Sequence, residues 1–182
     1  LRALPPRTPC TACAALAYNE KDGGATKLEI GYDVSGSKGA RLTFTDNGKG
    51  MDGDALFKMC CLAYSTSNNV AGRSGHWGYG YKSSVCKLGR DVLALTKTKV
   101  KLSGRQSGFV ATQLSAVLMS RSMTDAESLK DLELPHVVYD GDVPRQDAVT
   151  QKSLEKIFRY SSVNSEEQLL AEFVHIKETG LR

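Results

Sequence analysis

Two glycine-punctuated motifs constrain this chain more than any other feature. The first is Asp46-Asn47-Gly48-Lys49-Gly50-Met51, and the second runs Gly75-His76-Trp77-Gly78-Tyr79-Gly80-Tyr81-Lys82-Ser83. The first puts one carboxylate in a tight turn with exposed backbone at a strand end. The second is a glycine-rich loop opening a helix, the geometry that cradles phosphate. Together they outline a nucleotide site, with the adenine end at Asp46 and the phosphate end at Gly78 to Lys82.

The segments around the motifs suit that reading. Residues 11–21 are alanine-rich and predict a helix. The run Leu28 to Val34 and the run Ala40 to Thr45 read as strands, and the turn Ser35 to Gly39 makes them an antiparallel hairpin leading into Asp46. Residues 53–63 carry apolar positions at helical spacing, and Asp54 suits a helix N-terminus. Residues 64–77 are rich in Ser, Asn and Gly and read as a loop over the site. A short helix is expected at 79–88, with strands at 91–97 and 108–118. Residues 119–134 are polar and read as loop. His136 to Tyr139 is a short strand. Two helices follow near 151–160 and 165–174, and Ser165-Glu166-Glu167 is an acidic helix start.

The chain of 182 residues is long enough for one domain with a real core. The net charge of +4 is too small to argue for nucleic acid from composition alone. No apolar run reaches spanning length, so neither a transmembrane helix nor a membrane partner is expected. With no initiator Met and no signal-peptide pattern, the chain reads as an excised region. Cysteine occurs at Cys10, Cys13, Cys60, Cys61 and Cys86. An odd number without secretory context favours reduced thiols. Cys10-x-x-Cys13 is half a zinc site at most, because no second pair has matching spacing, and free cysteine is the plainer reading.

Asp46 carries the sharpest chemistry. A buried carboxylate accepts the exocyclic amine of adenine, whereas the keto oxygen of guanine would repel it. Gly48 and Gly50 let the backbone approach the base and adopt positive φ. Taken alone, Asp-Asn-Gly is equally an ordinary hairpin turn. Gly75, Gly78 and Gly80 remove side chains where phosphate must approach amides, and Lys82 can add a point charge. Each motif is weak by itself. Their order (strand, turn motif, helix, polar loop, glycine motif, helix) is far more specific.

Those residues resemble the Bergerat-fold (GHKL) ATPases and, within them, the microrchidia (MORC) family. Four blocks carry the resemblance: LTFTDNGKGMDGDALFKM at 42–59, GHWGYGYKSSVCKLGRDVLALTKT at 75–98, GFVATQLS at 108–115, and SLEKIFRYSSVNSEEQLLAEFVHIKETG at 153–180. The resemblance implies an α/β fold, a two-layer sandwich of a mixed, mostly antiparallel sheet with helices on one face. It implies ATP and magnesium as cofactors. ATP would be bound through Asp46, Gly48, Gly50, Met51, Gly75, Gly78, Gly80, Tyr81, Lys82 and Ser83, and magnesium through Asn19. It further implies a homodimer when nucleotide is bound, DNA or chromatin as partner, gene silencing as role and the nucleus as location. A single domain over 1–182 is expected, atypical over 1–18 and ending before a last strand and a transducer domain.

The family pattern breaks in the first helix. The family has a general-base Glu there, followed by a magnesium-binding Asn. The aligned segment is Ala12-Cys13-Ala14-Ala15-Leu16-Ala17-Tyr18-Asn19-Glu20. Asn19 falls on the magnesium position, and its amide oxygen suits that hard cation. Ala15 falls on the general base and has no proton acceptor. Losing a positioned base costs on the order of 10²- to 10⁴-fold in rate. Three explanations stand: ATP bound with hardly any turnover, a trapping substitution, or residues 1–18 as a mispredicted exon joined to a genuine domain. Separately, three functions stand: a MORC-like ATPase head, an ATP-sensing module without turnover, and a GHKL fragment left incomplete by its missing last strand.

Three further readings have strong plain alternatives. His76 could be catalytic or, with Trp77, simply pack in the lid. Ser65, Thr66, Ser67, Asn68 and Asn69 could donate to phosphate or form a solvated loop. Lys97, Lys99, Lys101 and Arg105 could bind nucleic-acid phosphate, or be the charged edge that protects a strand from aggregation.

Overall fold

A computed structural model describes residues 8–35, 39–61, 79–101, 110–126, 133–140, 143–144 and 148–182, with backbone alone at 18–22, 79–80, 143–144 and 148. The first helix, α1 (Pro9–Asp22), has a reciprocal start. The Thr8 hydroxyl accepts the Thr11 amide at 3.2 Å, and the Thr11 hydroxyl accepts the Thr8 amide at 3.0 Å. Pro9 occupies the first helical position, where no amide is needed. Strands β1 (Leu28–Asp33) and β2 (Arg41–Asp46) pair antiparallel, from Leu28 opposite Asp46 to Asp33 opposite Arg41. This is the expected hairpin, and it delivers Asp46 at its open end.

Helix α2 (Gly53–Cys60) is capped by Asp52, whose carboxylate accepts the Ala55 amide at 2.8 Å. Asp54 in its first turn and Lys58 in its last complement the helix dipole. Helix α3 (Tyr79–Leu88) follows. Strands β3 (Asp91–Lys101) and β4 (Val110–Ser120) then pair antiparallel along their whole length. Short helix α4 (Arg121–Ala126), strands β5 (His136–Asp140) and β6 (Val143–Pro144), helices α5 (Ala148–Tyr160) and α6 (Glu166–Val174) and strand β7 (Gly180–Leu181) complete the order. The main sheet runs β6-β5-β4-β3-β7 with every pairing antiparallel.

Alternate residues of a strand face opposite sides of a sheet, and here both sides are covered. On one side Leu95, Leu114, Ala116, Leu118 and Tyr139 pack with Ile157 of α5 and Leu169 and Phe173 of α6. On the other, Ala94 and Val117 pack with Leu56 and Cys60 of α2, and Tyr81 of α3 lies against them. Helix α1 lies on α3 and buries Ala12 and Leu16. The fold is thus α/β with a mostly antiparallel sheet, as expected, and α5 and α6 add a helical layer on the second face. Phe173 and Tyr160 belong to that layer.

Two segments differ from expectation. The stretch read as loop from 119 contains the end of β4 and all of α4. The Asp91 carboxylate builds that helix start: it accepts the Ser120 hydroxyl at 2.6 Å, the Ser122 amide at 3.1 Å and the Ser122 hydroxyl at 2.8 Å. Ser120 adds a local cap, its hydroxyl accepting the Met123 amide at 2.9 Å, a short-range signal that the loop reading passes over. A short strand that the sequence reading does not place, β7, lies at the C-terminal end. Lys97 pairs with Gly180 and Thr96 with Leu181, and Arg182 exchanges two backbone hydrogen bonds with Leu95 at 2.7 and 2.8 Å. Among the described residues, no helix is long and apolar enough to cross a membrane.

Candidate nucleotide site

The loop from Asp46 to Asp52 joins β2 to α2 and lies flat on β3. Asn47 holds its outer side. The Asn47 side-chain oxygen accepts the amides of Thr26 and Lys27 at 2.9 and 2.8 Å, and its amide group donates to the Thr26 hydroxyl at 2.9 Å. Three threonines hold the inner side. Thr179 donates to the Gly48 carbonyl at 2.7 Å, Thr98 donates to the Lys49 carbonyl at 2.9 Å, and Thr96 accepts the Met51 amide at 2.8 Å. These threonines escape a search for site residues, because Thr96 and Thr98 stand in the mixed polar half of β3 beside Lys97, Lys99 and Lys101.

Gly50 needs its glycine. Its φ is +68°, and an added Cβ would enter the carbonyl of Lys97. Gly50→Ala is expected to lose at least about 1–2 kcal/mol of stability, the cost of the left-handed conformation alone, read as a lower midpoint in urea denaturation. An unchanged midpoint would show that the loop does not sit this tightly on β3.

Asp46 is buried, with 9% of its surface exposed. Its carboxylate accepts the Gly48 amide at 2.6 Å and also takes the Leu181 amide. Burial raises its pKa, and the two amides pull the other way. Gly180 lies hard against the Asp46 carbonyl, so that even a Cβ would not fit. An ion network ties β2 and the C-terminal residue to α6. Glu172 pairs with Arg41 at 2.6 Å and with Arg182 at 3.0 Å, and Arg182 also donates to the Thr45 hydroxyl at 3.0 Å.

One groove is lined by Asp46, Gly48, Gly50 and Met51 from the loop and by Tyr81 and Lys82 from α3, with Leu16 of α1 at its margin. The structure therefore places Tyr81 and Lys82 of the second motif on the same groove as the first. Lys82 is 7% exposed, and burial lowers its pKa while Cys60 and Cys61 raise it. Burial pushes the neighbouring Cys60 thiol up to about 12, so that thiol is protonated and inert. Ser83 is half-buried on α3 and is not part of the groove lining. Gly80 lies in the first turn of α3.

Gly75, Gly78, His76, Trp77 and residues 65–69 lie outside the described residues, as does Arg105. Asn19 is on α1, one turn beyond Ala15, and its side chain also lies outside them. Ala15 is half-buried. Of the basic cluster, Lys97 is a structural tie, donating to the carbonyls of Ile176 and Lys177 at 3.0 and 3.2 Å, while Lys99 and Lys101 are exposed. Cys10 is exposed and Cys13 half-buried on α1.

A helix-capped carboxylate loop beside a glycine-led helix, on a mostly antiparallel sheet, defines a class of nucleotide-binding domain. The sequence profile of the histidine kinase-, DNA gyrase B- and HSP90-like ATPases matches residues 8–133, and the chain belongs to that family. Among curated proteins it is similar to Protein MICRORCHIDIA 7 of Arabidopsis thaliana, at 29% identity over 174 residues, covering 91% of this chain and 24% of that one. It is similar to Protein MICRORCHIDIA 5 of the same plant at 27% over 175 residues, covering 91% and 24%. ATPase MORC2 of Homo sapiens is 25% identical over 174 residues, covering 91% and 16%. The resemblance to MORC proteins read from the motifs is thus matched by whole-chain similarity. The chain spans about a quarter or less of the length of these relatives.

Proposed function

We propose that this chain is the ATP-binding head of a MORC-like chromatin ATPase. The observation that carries the proposal is the Asp46 carboxylate, buried at a strand end within a loop whose backbone is tied down on both sides. Such a group is an acceptor fixed in place before the ligand arrives, so little ordering is spent on binding. The donor set fits adenine: an acceptor for the exocyclic amine, flanked by glycines that leave room for the ring. Tyr81 and Lys82 on the groove supply the phosphate end, to which the family resemblance adds Gly75, Gly78, Gly80 and Ser83. A cation held largely out of water, as Lys82 is, gains strongly from an approaching phosphate.

By the family resemblance Asn19 would hold magnesium, which would supply neutralisation of the phosphate oxygens. Ala15 removes the proton acceptor that would activate water, so turnover is slow. In this reading nucleotide binding favours a homodimer by mass action. The dimer clamps and compacts DNA in the nucleus and supports gene silencing, a role supported by the relationship to microrchidia proteins. A second reading, an ATP sensor without turnover, is favoured by Ala15 itself.

Calorimetric titration of ATP, a non-hydrolysable analogue and GTP, each with magnesium, tests the proposal. Micromolar binding of ATP and the analogue, with GTP much weaker, is the expected result. A folded protein that binds neither ATP nor the analogue would overturn it.

A further inference from the structure

Resting on the nucleotide reading above, we propose that Thr96 is a positioning residue for base recognition, setting the Asp46 carboxylate through a single buried hydroxyl. Thr96 has no exposed surface, and its hydroxyl uses both its capacities. It accepts the Met51 amide at 2.8 Å from the loop, and it donates to the Gly180 carbonyl at 3.0 Å on β7. These two segments are the ones that grip Asp46. The loop supplies the Gly48 amide, at 2.6 Å, and β7 supplies the Leu181 amide. Leu181 is also the register partner of Thr96 across β3 and β7.

One hydroxyl thus fixes the separation of the two amides that orient the carboxylate. Thr98 and Thr179 also tie segments, each with one bond: Thr98 joins β3 to the loop at the Lys49 carbonyl, and Thr179, next to β7, joins its own segment to the loop at the Gly48 carbonyl. Thr96 differs in bonding both the loop and the β7 backbone from a third strand, so it sets the placement of the two together. Without the hydroxyl, a buried amide and a buried carbonyl are each left to seek other partners, and the loop and β7 are free to slide apart. The carboxylate would then no longer be held square to the base, and preference for adenine would fall together with affinity.

The test compares Thr96→Val, which keeps the shape and removes the hydroxyl, with Thr96→Ser, which keeps the hydroxyl. ATP and GTP affinities are measured by calorimetry, beside melting temperature. Thr96→Val is expected to weaken ATP by about tenfold and to narrow the gap between ATP and GTP, while Thr96→Ser restores both. A Thr96→Val protein that melts lower but keeps the parent's ATP affinity and base preference would overturn the inference and leave Thr96 a stabilising residue only. A parent that binds no ATP would overturn the nucleotide reading itself and this inference with it. Should Thr96→Val fail to fold, amide hydrogen exchange in the nucleotide-free parent decides. A Met51 amide as protected as the β3 core supports the bridge, and one that exchanges like exposed loop counts against it.

Discussion

Asp46→Asn is expected to weaken ATP binding by on the order of 10- to 100-fold, the loss of one hydrogen bond to a charged group at ~1.5–3 kcal/mol. The substitution keeps volume and still lets a side-chain oxygen accept the Gly48 amide. It puts a donor where the base also offers a donor, so the attraction becomes a clash of like groups. Stability should move the opposite way. Burial raises the folded pKa of Asp46 above its ordinary value. A raised carboxyl contributes stability that is fully present below the unfolded pKa and is lost as pH rises through the folded one. At pH near 7 the ionised, desolvated carboxylate therefore costs stability. The Asn variant is expected to melt no lower than the parent there, with its advantage shrinking as pH falls toward about 4. Thermal melts across that range check the sign. A variant that melts clearly lower at neutral pH would mean that the Gly48 and Leu181 amides outweigh desolvation.

Ala15→Glu is expected to raise the ATP turnover rate by on the order of 10²- to 10⁴-fold, the usual contribution of a positioned general base. Nucleotide affinity should change little, because a base acts on water rather than on the nucleotide. Ala15 is half-buried on α1, between the buried Ala12 and Leu16. A carboxylate can stand there without being wholly desolvated, so the helix should tolerate it. Leu16 beside it lines the groove shared with Asp46. Single-turnover phosphate release, measured beside ATP affinity, separates the outcomes. Higher turnover at unchanged affinity would mean the catalytic geometry is otherwise in place. Unchanged turnover with intact binding would favour the ATP sensor without hydrolysis.

Much of this domain is legible one segment at a time. The hairpin into Asp46 follows from two short apolar runs around a Ser-Gly turn, and β1 and β2 pair accordingly. The start of α2 is written in Asp52 and Asp54, and that of α6 in Ser165, Glu166 and Glu167. The helix expected at 79–88 is α3, Tyr79–Leu88. In each case the signal is a side chain bonding backbone within a few residues, or an apolar spacing set by the helix itself. Asp46 stands out for the same reason, since glycines beside a carboxylate are a local pattern.

What escapes such reading depends on partners far along the chain. Thr96 bonds Met51, Gly180 bonds Thr96 and Thr179 bonds Gly48 across 45, 84 and 131 residues. Periodicity says which side of an element is buried, but not what covers it. Helices α5 and α6 could be placed by their spacing and caps, yet their seat on the second face of the sheet rests on Ile157 and Phe173 meeting Leu95 and Tyr139. From sequence alone come the family, the main elements apart from α4, β6 and β7, and the carboxylate, because each is a matter of residue type at a short spacing. Only the tertiary structure decided that β7 closes over Asp46, that two amides grip it and that one threonine hydroxyl joins them. Those contacts form only when segments distant in the chain are folded against one another, and no local pattern encodes that meeting.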